Sequence, residues 1–156
     1  MKILFVCLGN ICRSPLAEGI LKDKLAKKDI EALVESAGFE SYHINEHPDK
    51  RAVKIARKHG IDISDYSCRL FTTEDFEKFD KIYVMESANY RDVKYFARDD
   101  KDMEKVQFLM SVLSGKNDPV PDPYFGDEEG FEKTFQQINK ACEKIVENLK
   151  TEKKQN

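Results

Sequence analysis

The sequence predicts an α/β fold, a single-domain three-layer sandwich in which a four-stranded parallel sheet has helices on both faces. Short apolar runs rich in β-forming residues alternate with amphipathic helical segments, a pattern typical of crossovers between parallel strands. The length of 156 residues fits one domain, and the 40% share of hydrophobic residues is enough for a core without disulfide bonds. We expect the domain to cover residues 1–150 and the polar tail at 151–156 to fray.

Four strands and four helices make up this prediction. Apolar runs predict strands at 2–6, 32–37, 80–85 and 106–110. In the first helix, Ser14 is expected as the N-cap and Pro15 at the first helical position, with apolar residues at helical spacing as far as Leu25. Later helices are predicted at 48–59, where Gly60 ends the helix, at 87–97 and at 127–150.

Charge and cysteine usage restrict the class of protein. The net charge of −3 argues against a nucleic-acid binder or a protein of anionic membranes. No run approaches the ~18 apolar residues of a membrane span, and the apolar start is too short for a secretory signal. The cysteines lack C-x-x-C and zinc-finger spacing, which favours reduced thiols and a cytoplasmic location. They are Cys7, Cys12, Cys68 and Cys142.

The segment between the first strand and the first helix carries the strongest functional signal. Cys7 and Arg13 are separated by five residues and follow a parallel strand, at the edge where such sheets bind ligands. Gly9 and Asn10 tolerate positive φ angles, so the loop can turn its N–H groups inward as a nest for a tetrahedral oxyanion. The helix N-terminus adds N–H groups and favours a thiolate at Cys7, while Arg13 can bind two phosphoryl oxygens.

Taken alone, a cysteine at this position is best interpreted as a small core residue at the end of a strand. The combination of strand, Gly-Asn, Arg-Ser-Pro and helix instead favours the interpretation of Cys7 as a nucleophile. The run FVCLGNICRSPLAE at 5–18 resembles the phosphate-binding loop of the low-molecular-weight protein tyrosine phosphatases. The resemblance continues at 35–38, 48–52, 59–61, 79–85 and 121–126. It therefore covers nearly the whole chain.

The resemblance implies hydrolysis of phosphotyrosine in proteins, and of small aryl phosphates, through a cysteinyl-phosphate intermediate. Cys7 is then the nucleophile, Arg13 and the loop amides bind the phosphate, and Asp122 is the general acid and base. Inorganic phosphate is the implied product, and neither a metal nor another cofactor is needed, because the arginine and the amides supply the positive charge. We expect a monomer that binds neither nucleic acid nor membrane.

The remaining site residues also follow from the resemblance. Ser14 is implied to steady the sulfur, and Asn10 to hold the loop through a network that includes Ser36. The sequence around Cys12 by itself indicates only a small buried residue. The resemblance implies that Cys12 forms a reversible disulfide with Cys7 under oxidation. The implied substrate-binding set is Leu8, Gly9, Asn10, Ile11, Cys12, Ser14, Tyr42, Tyr124 and Phe125.

Three features leave details of this assignment open. Asp118 shares the Asp-Pro start of the motif with Asp122 and is a weaker second candidate for the acid. Phe125 stands where many family members carry a second tyrosine, which bears on the preference for peptides. Tyr66 stands where members often carry a histidine, so no histidine is carried over to the network that supports the loop.

Three alternative functions fit parts of the sequence. An arsenate reductase of the same fold shares the loop, but it needs a relay of further cysteines, and Cys68 and Cys142 are far apart in the sequence. The run HINEH at 43–47 matches the zinc-hydrolase pattern H-x-x-E-H, but Pro48 disfavours the helix that this motif requires. A non-catalytic phosphotyrosine-binding module would keep the anion-binding loop but gain nothing from a nucleophile and an acid.

Overall fold

The computed structural model describes residues 1–124 and 126–155, with side chains as far as residue 152. Four short strands form one parallel sheet. Helices cover both faces of this sheet and bury the apolar residues of the strands, as is typical of parallel sheets. The strands are β1 (Lys2–Val6), β2 (Leu33–Ala37), β3 (Lys81–Val84) and β4 (Val106–Phe108), in the order β2-β1-β3-β4. All neighbouring strands are parallel, which confirms the predicted fold class.

Helices connect and cover the strands. They are α1 (Arg13–Lys27), α2 (Lys50–Lys58), α3 (Asp75–Lys78), α4 (Ser87–Phe96), α5 (Asp100–Glu104), α6 (Ser111–Ser114) and α7 (Glu128–Gln155), with a 3-10 turn at Ser41–His43. The sequence predicts the four long helices, whereas α3, α5, α6 and the 3-10 turn are too short to leave a periodic apolar pattern. Among the described helices, none combines the length and the apolar composition needed to cross a lipid bilayer.

The apolar residues of β1 alternate between two cores. Ile3 and Phe5 belong to the core shared with α1, α2 and α7, whereas Leu4 and Val6 belong to the core shared with α3 and α4. This alternation follows from the period of a strand, in which successive side chains point to opposite faces. Because both faces of the sheet are covered, the molecule has the predicted three-layer arrangement.

The carboxyl ends of three strands meet at one edge of the sheet. Val6 pairs with Ala37 on one side and with Val84 on the other. The segments that follow these residues therefore lie side by side. They are the loop at 7–12, the segment from Gly38 and the segment at 85–86.

The structure corrects two predicted helix ends. Cys12 occupies the N-cap position of α1, and its own side chain makes no capping hydrogen bond. The prediction of Ser14 as the N-cap is wrong, because Ser14 lies inside the helix and its hydroxyl contacts the sulfur of Cys7. The predicted end of the last helix at residue 150 is also wrong, because α7 continues as far as Gln155, in a segment rich in Lys, Glu and Gln, which have high helix propensity.

Candidate active site

A cleft of about 130 Å³ opens at the carboxyl end of β1, beside the loop that leads into α1. Cys7 and Arg13 both line it and are almost completely buried. The full lining is Cys7, Leu8, Gly9, Ile11, Cys12, Arg13, Glu40, Tyr42, His43, Asp122 and Tyr124. The predicted nucleophile, arginine and acid therefore share one cleft.

The loop between Cys7 and Arg13 directs three carbonyl groups toward the body of the protein. Each carbonyl oxygen accepts a hydrogen bond from a residue that does not line the cleft. The pairs are Phe39 N to Leu8 O at 2.7 Å, Cys68 Sγ to Asn10 O at 3.0 Å and Asp49 N to Ile11 O at 2.8 Å. In a planar trans peptide the N–H points opposite to the C=O, so the adjoining N–H groups turn toward the cleft.

The N–H groups of the loop are available to an anion. Asn10 has a φ of 57°, the left-handed conformation that lets successive N–H groups converge in a nest. Among the described residues, none accepts a hydrogen bond from the N–H groups of Gly9, Ile11 or Cys12. The N-terminus of α1 adds its positive dipole end at the same place. This geometry suits a tetrahedral oxyanion.

A chain of hydrogen bonds runs from the sulfur of Cys7 to a buried carboxylate. The sulfur lies 3.0 Å from the hydroxyl of Ser14 and 3.4 Å from its backbone nitrogen. The amide of Asn10 donates to the hydroxyls of Ser14 at 2.8 Å and Ser36 at 2.9 Å. Ser36 in turn donates to the carboxylate of Glu18 at 2.7 Å. Ser14 accepts from Asn10 and keeps its own proton free to donate, so the hydroxyl can stabilise a thiolate at Cys7.

The guanidinium of Arg13 is buried among negatively charged groups. One of its nitrogens donates to the carboxylate of Glu86 and, at 2.9 Å, to the carbonyl of Val120. The other nitrogen lies 3.5 Å from a carboxylate oxygen of Asp122. Burial by itself would lower the pKa of Arg13, but the charges of Cys7 and of the two carboxylates outweigh it and raise the pKa. The guanidinium therefore stays charged and is held at the cleft.

Asp122 lies at the mouth of the cleft, on the proline-containing segment before α7. Its side chain is 36% exposed, one carboxylate oxygen accepts the N–H of Tyr124 at 3.0 Å, and the other faces Arg13. Arg51 fixes the far side of this segment, since it donates to the carbonyls of Tyr124 at 2.8 Å and Gly126 at 3.1 Å. The carboxyl is thus both positioned and open to solvent, as proton exchange with a substrate and with water requires.

Apolar and aromatic side chains surround the mouth. Leu8, Tyr42 and Tyr124 line it and are exposed, while Ile11 lies deeper and is buried. Phe125, the remaining predicted rim residue, lies outside the described residues. The cleft therefore offers an apolar wall above its polar base, as an aryl group attached to a phosphate would need.

An acidic group and a histidine stand on the other side of the mouth. Glu40 and His43 line the cleft next to Gly9. The ring of His43 lies 2.7 Å from the carboxylate of Glu46, and its centroid is 4.4 Å from that of Tyr42. This part of the rim therefore combines the ring of Tyr42 with the imidazole of His43 and the carboxylate of Glu40.

Cys12 lines the same cleft as Cys7 but in different electrostatic surroundings. Burial, and after it the negative charge of Cys7, raises the pKa of Cys12 far above the usual range of a thiol. Cys12 therefore remains a neutral thiol, whereas the sulfur of Cys7 accepts the N–H of Ser14 at 3.4 Å and lies 3.0 Å from its hydroxyl. The two cysteines are chemically distinct although they are close in sequence.

Comparisons with known proteins identify the family. The family model described as low molecular weight phosphotyrosine protein phosphatase matches residues 2–155. The chain is 36% identical to the low molecular weight phosphotyrosine protein phosphatase of Gallus gallus, over 93% of each chain. It is 38% identical to a putative low molecular weight protein-tyrosine-phosphatase of Synechocystis, over 96% of each chain. The chain belongs to the low molecular weight phosphotyrosine protein phosphatase family.

Solved structures agree with this assignment. A protein tyrosine phosphatase of Entamoeba histolytica superimposes with a TM-score of 0.90 at 34% identity, covering 98% of this chain and 99% of that chain. A Drosophila arginine phosphatase superimposes with a TM-score of 0.88 at 33% identity, covering 96% of this chain and 98% of that chain. The resemblance and the enzyme class inferred from the sequence, a low-molecular-weight tyrosine phosphatase, are therefore confirmed.

Within this phosphatase, the predicted site residues occupy two layers. Most of the predicted substrate-binding residues line the cleft, but the side chains of Asn10 and Ser14 lie behind the loop, in the hydrogen-bond network with Ser36. Asp118, the second candidate for the acid, is exposed, accepts a hydrogen bond from Ser114 at 3.1 Å and does not line the cleft. The geometry favours Asp122 over Asp118 as the acid.

Several side chains at the phosphatase site are missed by sequence reasoning. They are Glu18, Glu40, His43, Cys68 and Glu86. Two of these left a signal: Glu86 follows β3 at the same sheet edge as Cys7, and Glu18 is one helical turn after Ser14 in α1. Glu40 and Cys68 come from irregular segments and left none, because only the folded chain brings them to the loop.

The zinc-hydrolase alternative lacks the helix that its motif needs. His43 ends a 3-10 turn and pairs with Glu46, whereas the ring of His47 lies 2.9 Å from the carbonyl of Tyr66. Two histidines of such a motif must share one helix face. Among the described residues, no group of three or more His, Cys, Asp or Glu side chains is arranged to hold a metal ion.

The cysteine relay of an arsenate reductase finds little support in the positions of the remaining thiols. Cys142 is fully buried in the core between α1 and α7, with its sulfur 3.9 Å from the carbonyl of Ala17. Cys68 lies at a different place, against the carbonyl of Asn10. The two thiols therefore contact different parts of the molecule.

Proposed function

We infer that the protein hydrolyses phosphotyrosine in proteins, and small aryl phosphates, through a cysteinyl-phosphate intermediate. The observation that carries this proposal is the position of the Cys7 sulfur, which lies 3.0 Å from the Ser14 hydroxyl and in the same cleft as Arg13 and Asp122. A nucleophile, an anion nest and a proton donor around one cleft are what phosphoryl transfer requires.

In the first step, the thiolate of Cys7 attacks phosphorus in line with the bond to the phenolic oxygen. A sulfur–phosphorus bond forms and the phosphorus–oxygen bond breaks. Asp122, protonated in this step, gives its proton to the departing phenolic oxygen. The loop N–H groups and Arg13 bind the three remaining oxygens, which spread the charge of the transition state.

In the second step, water replaces sulfur on phosphorus. Asp122, now ionised, accepts a proton from the attacking water, and inorganic phosphate leaves. The sulfur–phosphorus bonding pair returns to Cys7, whose thiolate is stabilised by the proton of Ser14. The positive charge needed in both steps comes from Arg13 and the backbone amides, so the proposal requires neither a metal nor another cofactor.

The walls of the cleft support an aryl ester as the substrate. A phosphotyrosine ring carries its phosphate farther from the peptide backbone than phosphoserine does, so it can reach the nest past the rim. Leu8 and Ile11 offer apolar contacts to the ring, and Tyr42 and Tyr124 can stack beside it. A monomer acting on phosphotyrosine-containing proteins fits this open site.

Phosphoarginine is the second candidate substrate. The Drosophila relative is an arginine phosphatase, and the carboxylate of Glu40 at the mouth could pair with a guanidinium. The buried aliphatic side chain of Ile11 argues for the aromatic ring, because it offers no hydrogen-bond acceptor to a charged group. We therefore rank phosphotyrosine first.

A chromogenic aryl phosphate tests the proposal. Hydrolysis should persist in EDTA and disappear in Cys7→Ser, and Asp122→Ala should slow a poor leaving group far more than a good one. With two peptides of one sequence, phosphotyrosine should be cleaved faster than phosphoarginine. Loss of activity in EDTA, or arsenate reduction faster than dephosphorylation, would reject the proposal. Binding of phosphotyrosine without turnover would indicate a recognition module instead.

A further inference from the structure

A third cysteine contacts the phosphate-binding loop from the side opposite the cleft. The sulfur of Cys68 lies 3.0 Å from the carbonyl oxygen of Asn10 and is almost completely buried. Cys68 does not line the cleft, so it cannot touch a substrate there. Its contact is with the backbone of the loop at the residue that has the positive φ angle.

We propose that Cys68 is a positioning residue, whose thiol holds the Asn10 carbonyl away from the cleft and so directs the N–H of Ile11 at the bound phosphate. This inference rests on the proposed function, because it concerns how the same loop binds a phosphoryl group. Cys68 acts through the Asn10–Ile11 peptide and takes no part in bond making.

The planarity of the peptide connects the two ends of this argument. The C=O of Asn10 and the N–H of Ile11 belong to one rigid unit and point in opposite directions. A hydrogen bond that fixes the carbonyl outward therefore fixes the N–H inward. If the peptide rotated, the carbonyl oxygen would face the phosphate and repel it, and one donor of the nest would be lost.

The Asn10 carbonyl differs from its neighbours in how it is held. The carbonyls of Leu8 and Ile11 accept hydrogen bonds from backbone N–H groups, which no substitution other than proline removes. For Asn10, the donor is the side chain of Cys68. Replacing the side chain of Cys68 can therefore free the Asn10–Ile11 peptide to rotate.

The backbone around Cys68 is well fixed, so its thiol is held in place. Its N–H donates to the carbonyl of Glu46 at 2.9 Å, and its own carbonyl accepts from the N–H of Asn45 at 3.0 Å. The next N–H, that of Arg69, donates to the side-chain oxygen of Asn10 at 3.0 Å. Residues 68 and 69 thus hold both the backbone and the side chain of Asn10.

The thiol of Cys68 stays protonated, as a donor must. Burial, and after it the negative charge of Cys7, raises the pKa of Cys68 to about 11. At neutral pH the sulfur therefore carries a proton that it can give to a carbonyl oxygen. A thiolate at this position would instead repel that oxygen.

Three variants test the proposal with inorganic phosphate as the probe. Cys68→Ala removes the donor, Cys68→Ser keeps a donor on a similar side chain, and Cys142→Ala removes an equally buried thiol far from the loop. Phosphate affinity is measured by calorimetric titration and by competitive inhibition of aryl phosphate hydrolysis. Thermal unfolding is recorded for each variant, so that folding is judged separately.

We expect Cys68→Ala to weaken phosphate binding and to lower kcat/KM by the same factor, about 3- to 10-fold, as the loss of one hydrogen bond implies. Cys68→Ser should restore both within about twofold. The ratio of rates for good and poor leaving groups should not change, because Asp122 is unaffected. Cys142→Ala should lower the melting temperature and leave phosphate affinity as it was.

Equal phosphate affinity in Cys68→Ala and the parent protein overturns the inference, as does a serine variant that loses as much as the alanine variant. If Cys68→Ala does not fold, Cys68→Val replaces it, because valine fills the space without a donor. A parent protein that binds no phosphate would instead reject the proposed function. The two failures are therefore distinguishable.

Discussion

The hydroxyl of Ser14 lies 3.0 Å from the sulfur of Cys7 and accepts a hydrogen bond from Asn10 at 2.8 Å. A thiolate has no proton to give, so the hydroxyl of Ser14 is the donor of this hydrogen bond whenever Cys7 is ionised. Ser14 is thus polarised toward the sulfur by a network that ends at Glu18. This polarity matters most when the sulfur is negatively charged, before the attack on phosphorus and after the release of phosphate.

Ser14→Ala should lower kcat by about 10- to 100-fold, as the loss of a hydrogen bond to a charged group implies. The loss should fall on the second step, because the departing thiolate is then no longer stabilised. Rapid mixing should therefore give a burst of phenol close to one equivalent per enzyme, followed by slow turnover. Ser111→Ala, which removes a hydroxyl bonded to Phe108, is the control, and an unchanged kcat in Ser14→Ala would contradict the mechanism.

Gly38→Ala should displace the phosphate-binding loop. A Cβ atom at this position would lie 2.8 Å from the backbone nitrogen of Asn10 and 3.0 Å from the carbonyl carbon of Gly9, and backbone atoms cannot yield as a flexible side chain can. We expect a loss of about 1–3 kcal/mol in the free energy of unfolding and phosphate affinity lowered by at least about 10-fold. Urea unfolding and phosphate titration measure the two effects.

Gly130→Ala is the matched control for that substitution. Its Cβ would meet only a side-chain oxygen of Asp127 at 3.7 Å, an ordinary contact, near the start of α7. Activity should be unchanged and stability equal or slightly higher, because alanine is a better helix former than glycine. If both variants behaved alike, close packing at Gly38 would not be the cause.

In Asp49→Asn, the free energy of unfolding should vary less with pH in the acid range. Burial by itself would raise the pKa of Asp49, but the hydrogen bonds and charge of Arg51 outweigh it and hold the pKa below the ordinary 3.8. A carboxyl whose pKa is lower in the folded state stabilises the fold above its unfolded pKa, and this contribution is lost as pH falls through the folded pKa. The pair is partly exposed, so solvent screening limits it to about 0.5–1 kcal/mol.

Urea unfolding of the parent protein and of Asp49→Asn, from pH 6 down to pH 3, measures this effect. The difference in the free energy of unfolding should be largest near pH 6 and should shrink as pH falls below 3.8. A difference that stayed constant over the whole range would contradict the role of the Asp49–Arg51 pair.

Cys12→Ser should make inactivation by hydrogen peroxide irreversible. Peroxide oxidises the Cys7 thiolate to a sulfenic acid, and the thiol of Cys12 then displaces water from it to form a disulfide. Without Cys12, further oxidation of Cys7 competes. Activity after dithiothreitol treatment is the measurement: the parent and Cys142→Ala should recover, whereas Cys12→Ser should not. Equal recovery in all three proteins would exclude a protective role for Cys12.

The sequence predicted what depends on local patterns and missed what depends on distant contacts. The strands and long helices have apolar periods, and the observed ends agree with the prediction to within two residues apart from the end of α7. The prediction of Ser14 as a cap is wrong because a serine before a proline favours that role locally, whereas the folded chain places its hydroxyl against the sulfur of Cys7. Nothing near Cys68 in the sequence indicates that it meets Asn10, since the segment that contains Cys68 reaches the loop by bridging to Gly38, which follows β2.

Asn10 is tied to three separate parts of the chain: to α1 through Ser14, to β2 through Ser36, and to the segment at 68–69 through both its amide and its carbonyl oxygens. A synthetic peptide covering 5–18 would therefore lack most of the contacts that shape the anion-binding cup formed by the N–H groups of the loop. It should bind phosphate no better than an unstructured peptide of the same charge. Grafting this cup onto another scaffold would require transplanting the end of the neighbouring strand and the dipeptide at 68–69 along with the loop.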